Sequence, residues 1–266
     1  MKTLKRFAKD LKKYFFYIRI SAGSALKSEV ADSYLNWIWL VLDPLCMMFV
    51  YAFVFGVIFE KKEQYFPLFI FVGLTQWNFF STCVKKSVKI VKRNSSIVSK
   101  VYLPKVILLF TEMGVNSFKM LMSLLVVFVM MAVYGVTPSF KILYIIPMLL
   151  IVYLFTFGVM CICTHFGVYI SDLGNVIDIL MKLLFYGTGI VFDIRTRIGK
   201  HYPTMAALLA KGNPMAYTII SSRDAMLYNT SPDLKWIFIW LGISLVLDVL
   251  GIFLIYRNEN SYVKAI

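Results

Sequence analysis

The chain has 266 residues, 60% of them hydrophobic and only 16% charged, a balance that excludes an ordinary soluble globular domain and makes lipid the solvent for most of its surface. Its 28 Lys and Arg against 14 Asp and Glu leave a formal net charge of +14. The cations stand beside apolar runs rather than along a polar groove, so nucleic acid is excluded as a partner and anionic lipid headgroups are the expected counter-charge.

Taken in chain order, residues 1–30 begin with a basic stretch but lack the long apolar core and small-residue cleavage site of a signal peptide. Leu4, Phe7, Leu11, Tyr14, Phe15 and Ile18 recur at helical spacing, with Lys5, Lys9, Lys12 and Lys13 on other faces. That pattern predicts an amphipathic helix lying in the membrane interface. The remaining 31–266 form one all-α membrane domain, in which a span takes about 20 mostly apolar residues. Six spans are predicted, at 34–59, 66–84, 106–134, 142–170, 176–192 and 234–256. Their continuous apolar character favours helices, because a barrel strand alternates over about ten residues.

Between the second and third spans, residues 85–105 make a basic elbow closed by Leu103-Pro104. Between the fifth and sixth, residues 193–233 are broken by Pro203, Gly212-Asn213-Pro214 and Ser231-Pro232, with apolar stretches too short to cross. Short re-entrant helices fit that segment better than a solvated loop. Seventeen Lys and Arg flank the membrane on the side of the N-terminal tail, the elbow and the C-terminus, against nine on the other side. The excess places both termini in the cytoplasm.

Catalytic patterns are thin. There are two histidines, His165 and His201, with no HExxH, no GxSxG and no paired aspartates. A phosphate-binding GxxxxGK[ST] loop is also lacking, so any ATP used is bound and hydrolysed on a partner. Cys46, Cys83, Cys161 and Cys163 fall in spans, where neither a disulfide nor a metal site is expected. The ionisable groups placed in or near spans are Asp43, Glu112, Lys119, Asp178, Lys182 and Asp248. Asp178 and Lys182 stand at i and i+4 and are expected to pair, while Asp43-Pro44 is expected to kink the first span.

Aromatic residues make up 17% of the chain and crowd the first span and the end of the fifth. Rings of this kind stack on the CH-rich faces of sugars as well as on lipid. The runs SYLNWIWLVLDPLCMMFVYAFVFGVIF (33–59), FPLFIFVGLTQWNFF (66–80), NSSIVSKVYLPKVIL (94–108), SDLGNVIDILMKLLFYGTGIVF (171–192) and GNPMAYTIISSRDAML (212–227) resemble, in order and spacing, the permease subunit of ABC exporters for lipid-linked polysaccharides such as O-antigen, capsule or teichoic acid. One departure is visible: the family often has Arg where this chain has Ser171 before Asp172-Leu173.

The resemblance implies a transport subunit in the bacterial plasma membrane, working as a homodimer with two copies of an ABC ATPase that carries ATP and Mg. It implies a coupling segment at about 91–103 with Lys92, Arg93, Asn94 and Lys100 toward the ATPase, and a channel lined by Trp37, Tyr51, Phe55 and Tyr186. The substrate is expected to be an undecaprenyl-diphosphate-linked glycan, with no cofactor on this chain itself. Weak stacking contacts let a polymer slide without arrest. Three alternatives stay open on sequence: a small-lipid or drug exporter of the same fold, a secondary transporter or channel working alone, and a membrane enzyme acting on lipid.

Overall fold

The computed structural model describes residues 2–31, 36–58 and 63–264, and every regular element among them is helical. Tyr34 and Phe59, at the ends of the first predicted span, lie outside the described residues. Helix α1 (Lys2–Val30) precedes a 3₁₀ turn (Asn36–Ile38) and α2 (Trp39–Tyr51), which runs on as a π-helical stretch (Ala52–Ile58). Then follow α3 (Phe66–Val88), the single turns α4 (Ile90–Arg93) and α5 (Ser95–Val98), and α6 (Lys105–Val133). A 3₁₀ turn (Phe140–Tyr144) leads into α7 (Ile145–Tyr169), followed by α8 (Leu173–Gly187), α9 (Ile194–Arg197), α10 (Pro203–Gly212), α11 (Pro214–Met226) and α12 (Leu234–Lys264).

Five stretches of described helix are long and apolar enough to cross a membrane: Trp39–Gly56, Phe66–Val88, Lys105–Val133, Phe140–Tyr169 and Leu234–Tyr262. The chain is therefore a multi-pass membrane protein. The fifth predicted span is shorter than its apolar run suggested. Its helix, α8, has 15 residues, about 22 Å at the α-helical rise, against a hydrocarbon thickness of about 30 Å. It stops because the chain turns at Gly189, whose φ of 69° only glycine adopts readily.

Helix α3 is the hub. Its span is 78% buried although it carries several polar side chains; α2, α6, α7, α8 and α11 all pack on it. Helices α7 and α12 form the most extensive pair, and small residues let their backbones close up: a Cβ on Gly251 would meet Cys161 Cβ at 2.6 Å, and one on Gly158 would meet Leu247 Cβ at 2.8 Å. Helix α2 runs through Pro44 and keeps most of its surface uncovered, with Phe49 and Phe53 at least 60% exposed.

Helix α1 lies against α6 and α12. Phe7 contacts Phe110 and Phe157 at centroid distances of 6.0 and 6.3 Å, and Tyr14 and Ile18 also pack on the core. Phe15, Phe16 and Ile20 point elsewhere and are exposed, so the stripe read from spacing divides: Phe7, Tyr14 and Ile18 face protein, Leu4 and Phe15 do not.

Candidate functional site

Both chain ends and the α3–α6 elbow come together at the basic end of the bundle, where two polar networks fix the elbow. In the first, Glu112 of α6 takes Lys86 at 2.7 Å and Arg93 at 2.9 Å. Asn116 donates to Glu112 as well, at 3.0 Å, and Glu29 of α1 receives Lys86 at 3.1 Å together with Lys119. Burial by itself would raise the Glu29 carboxyl, but the bonds and charges of Lys119 and Lys86 outweigh it and hold the group below its ordinary range. In the second network the Arg6 guanidinium donates to Tyr102 and Glu259, and the Tyr102 hydroxyl donates to Glu259 at 3.2 Å. Burial and the Glu259 charge push the Tyr102 phenol up, so that it stays a donor. Tyr256 adds a bond to Asp10 at 2.9 Å. Helices α1, α6 and α12 are thus tied by charge-assisted bonds, the stronger kind, to the short segment into which α3 leads.

The four coupling candidates separate. The Arg93 side chain is held by Glu112, and the Asn94 amide donates to the Ile90 carbonyl at 2.7 Å. Lys100 stands exposed and Lys92 half-buried. Next to them Ile97 and Val101 are 41% and 61% exposed. Both lie inside the coupling segment predicted at about 91–103, where only polar side chains were singled out; the turn at α5 shows that these two apolar ones face outward.

The channel candidates also separate. Tyr51 lies 5.4 Å from Phe185 and 6.4 Å from Phe55, and Tyr186 meets Phe185 edge-on at 5.3 Å. Trp37 is elsewhere, edge-on to Phe118 of α6 at 6.0 Å. Tyr51, Phe185 and Tyr186, but not Phe55, wall a cavity of about 260 Å³ between α2, α3 and α8, which Asn78, Ser81, Lys85 and Lys182 also line. The expected Asp178–Lys182 pair does not form. Asp178 binds Lys85 of α3 at 3.2 Å instead, because a lysine on a facing helix reaches the carboxylate that the i+4 lysine leaves by leaning into the groove. Asp43 lines a second, polar cavity of about 640 Å³ on the other side of α2, with Glu29, Asn78, Asn116 and Lys119.

Helices α10 and α11 make a hairpin whose corner, Gly212-Asn213-Pro214, reaches the middle of α3 and α7: it shares an apolar cavity of about 570 Å³ with Trp77, Phe80, Phe155 and Val159. Asn213 caps α11, its side-chain oxygen accepting from Met215 and Ala216 N–H. At the far end of α11, Arg223 is 1% exposed and donates to the carbonyls of Phe69, Gly189 and Ile190 at 2.9, 2.8 and 2.7 Å. Its guanidinium carbon lies 3.4 Å from the Phe69 ring centroid. Arg195 of α9 bridges Asp193 and Asp224 beside it, at 3.0 and 2.7 Å.

Compared with known proteins, residues 19–227 match the profile of the family described as ABC-2 type transporter. The chain is similar to the O-antigen export system permease protein RfbA of Klebsiella pneumoniae, 26% identical over 251 residues that cover 94% of this chain and 95% of that one. It is also similar to a protein of the same description from Myxococcus xanthus, 26% identical over 243 residues, covering 91% and 92%.

Proposed function

Because this chain belongs to the ABC-2 type transporter family, we propose that it is the membrane-spanning permease subunit of an ATP-driven exporter of lipid-linked polysaccharide, with O-antigen, named in the relatives it resembles, as the expected cargo and teichoic acid a related one. The observation that carries the reading is the elbow: a short segment continuous with α3 and bonded to three more long helices, with an exposed face of Ile97, Lys100 and Val101 at the basic end of the bundle. That is the form a mechanical input needs. Two ATPase subunits, carrying ATP and Mg, dock on this face from the cytoplasm, and their closure moves the elbow and its helices as one body.

Two copies of the chain sit in the plasma membrane with both termini inside, as the excess of cations on that side demands. Helix α1 lies in the inner interface with Phe15, Phe16 and Ile20 toward lipid. The uncovered flanks of α2 and α8 face the second copy, and the groove walled by Tyr51, Phe185 and Tyr186, with Phe55 behind Tyr51, opens onto the path between copies. Segment 188–193 completes the crossing that α8 begins. The α10–α11 hairpin dips into the outer leaflet and returns, with Arg223 and the Arg195 bridge holding it to α3 and to the end of α8. Sugar rings slide over the aromatic wall because each stacking contact is weak.

The test is reconstitution with the cognate ATPase, comparing the wild type with an Ile97→Glu, Lys100→Glu double variant. The wild type should assemble, hydrolyse ATP and export polymer, and the variant should lose assembly. Wild-type chain that binds no ATPase, and moves solute or turns over lipid alone, would remove the exporter reading.

A further inference from the structure

The cavity between α2, α3 and α8 has a polar gradient that the aromatic path alone does not need. Asn78, Ser81 and Lys85 follow at i, i+3 and i+7 and so form one stripe of α3; Asp178, Lys182 and Tyr186 follow at i, i+4 and i+8 and form one stripe of α8. All of these except Asp178 line the cavity. Lysines therefore stand toward the basic end of the bundle and tyrosines beyond them.

The charges do not cancel. Lys85 has Asp178 at 3.2 Å, with the two side chains 39% and 54% exposed, a pair open to competition. Lys182 takes part in none of the ion pairs found among the described residues. A lysine midway along a helix of a membrane protein is costly unless an anion or water meets it, and such residues mark ligand paths.

Resting on the exporter reading, we propose that this groove seats a phosphate borne by an amphiphilic carrier, with Lys182 as its main anchor, Lys85 as a second cation that shifts from Asp178 to the ligand, and Asn78 and Ser81 as neutral donors. Phosphate oxygens are strong acceptors, and ammonium groups bind them as point charges without demanding one geometry. The tyrosines beyond the lysines then meet the first sugar as it follows the phosphate. An isoprenoid diphosphate and an ordinary anionic phospholipid share this chemistry; the aromatic continuation assigns the groove to the former.

The experiment measures binding of a fluorescent undecaprenyl diphosphate to the permease–ATPase complex in phosphatidylcholine nanodiscs, with phosphatidylglycerol as competitor. Lys182→Gln should raise Kd at least tenfold and Lys85→Gln about threefold, while Lys182→Arg, which keeps the charge, should stay within about threefold of wild type. Unchanged co-purification with the ATPase shows that the variants fold. Equal binding by wild type and Lys182→Gln would overturn the anchor. Displacement of the probe by phosphatidylglycerol at equal concentration would overturn the assignment to the diphosphate carrier. A wild-type complex that assembles but does not bind the probe overturns this inference alone; a chain that neither assembles with an ATPase nor exports polymer overturns the exporter reading and this inference with it.

Discussion

Replacing Arg223 with Met should unfasten the α10–α11 hairpin from the rest of the molecule. The guanidinium makes three bonds of 2.7–2.9 Å to carbonyls, one in the first turn of α3 and two in the turn after α8. Methionine fills much of the volume but returns none of the bonds, so the carbonyls of Phe69, Gly189 and Ile190 lose a charged donor in a buried site. The two turn carbonyls of Gly189 and Ile190 are left without a donor, at about 1–3 kcal/mol each, so the loss should be about 3–5 kcal/mol. At about 3 °C per kcal/mol for a chain of this size, the Tm in detergent should fall by about 9–15 °C.

Gly73 supplies an internal check, because a Cβ there would lie 2.6 Å from Arg223 Nη2 and at ordinary contact, 3.4 Å, from Ile190 and Ile219. Gly73→Ala should therefore cost about 1–3 kcal/mol in the wild type by overpacking. It should cost little in an Arg223→Ala background, giving a coupling of about 1–2 kcal/mol in a double-mutant cycle. A fall in Tm of less than about 3 °C for Arg223→Met, or strictly additive effects of the two alanines, would refute the reasoning.

Three further outcomes are expected. Tyr102→Phe removes the hydroxyl that ties the elbow to the Arg6–Glu259 pair and should lower polymer exported per ATP hydrolysed by about tenfold, the worth of a bond of about 1.4 kcal/mol; an unchanged ratio would show that the clamp transmits nothing. Asn213→Ala should lower Tm by about 2–4 °C through loss of the α11 cap, and Asn213→Asp, although an equally good cap in water, should be worse, because it adds a charge beside the apolar cavity of Phe80 and Phe155; the reverse order would place the corner in water. The Glu29 carboxyl is held below its usual value of 4.5, so the stability it contributes is present above that pH and lost as pH falls through the folded value. With the side chain 36% exposed the effect is screened, and Glu29→Gln should flatten the acid limb of a Tm–pH curve by only about 1–2 °C; a variant curve identical to wild type would remove the role of Glu29 in the network.

Much of the architecture was legible because the periodicity and length of apolar runs respond to the solvent alone. Residues 66–84 and 142–170 read directly as the long helices found at Phe66–Val88 and Ile145–Tyr169. The breaks at Pro203 and Gly212-Asn213-Pro214 bound the two helices of the α10–α11 hairpin, since proline and an N-capping asparagine act through local geometry. The apolar run 176–192 overstated α8 for the opposite reason: hydropathy cannot see that Gly189 turns the chain and that Arg223 collects the carbonyls freed there.

Pairings were beyond the sequence. An i, i+4 rule joined Asp178 to Lys182, and no rule could weigh Lys85 against it, because the distance between α3 and α8 is set by how α3 packs among five neighbours. Likewise nothing in the composition of the elbow separates Arg93, spent on Glu112, from Lys100, left at the surface. The sequence by itself determined that this chain lives in a membrane, where five long apolar helices lie and which end is basic, because transfer of each residue between water and hydrocarbon is a local property. The tertiary structure decided which charges are neutralised and which stay available, because charge interactions depend on distances between helices far apart in the chain.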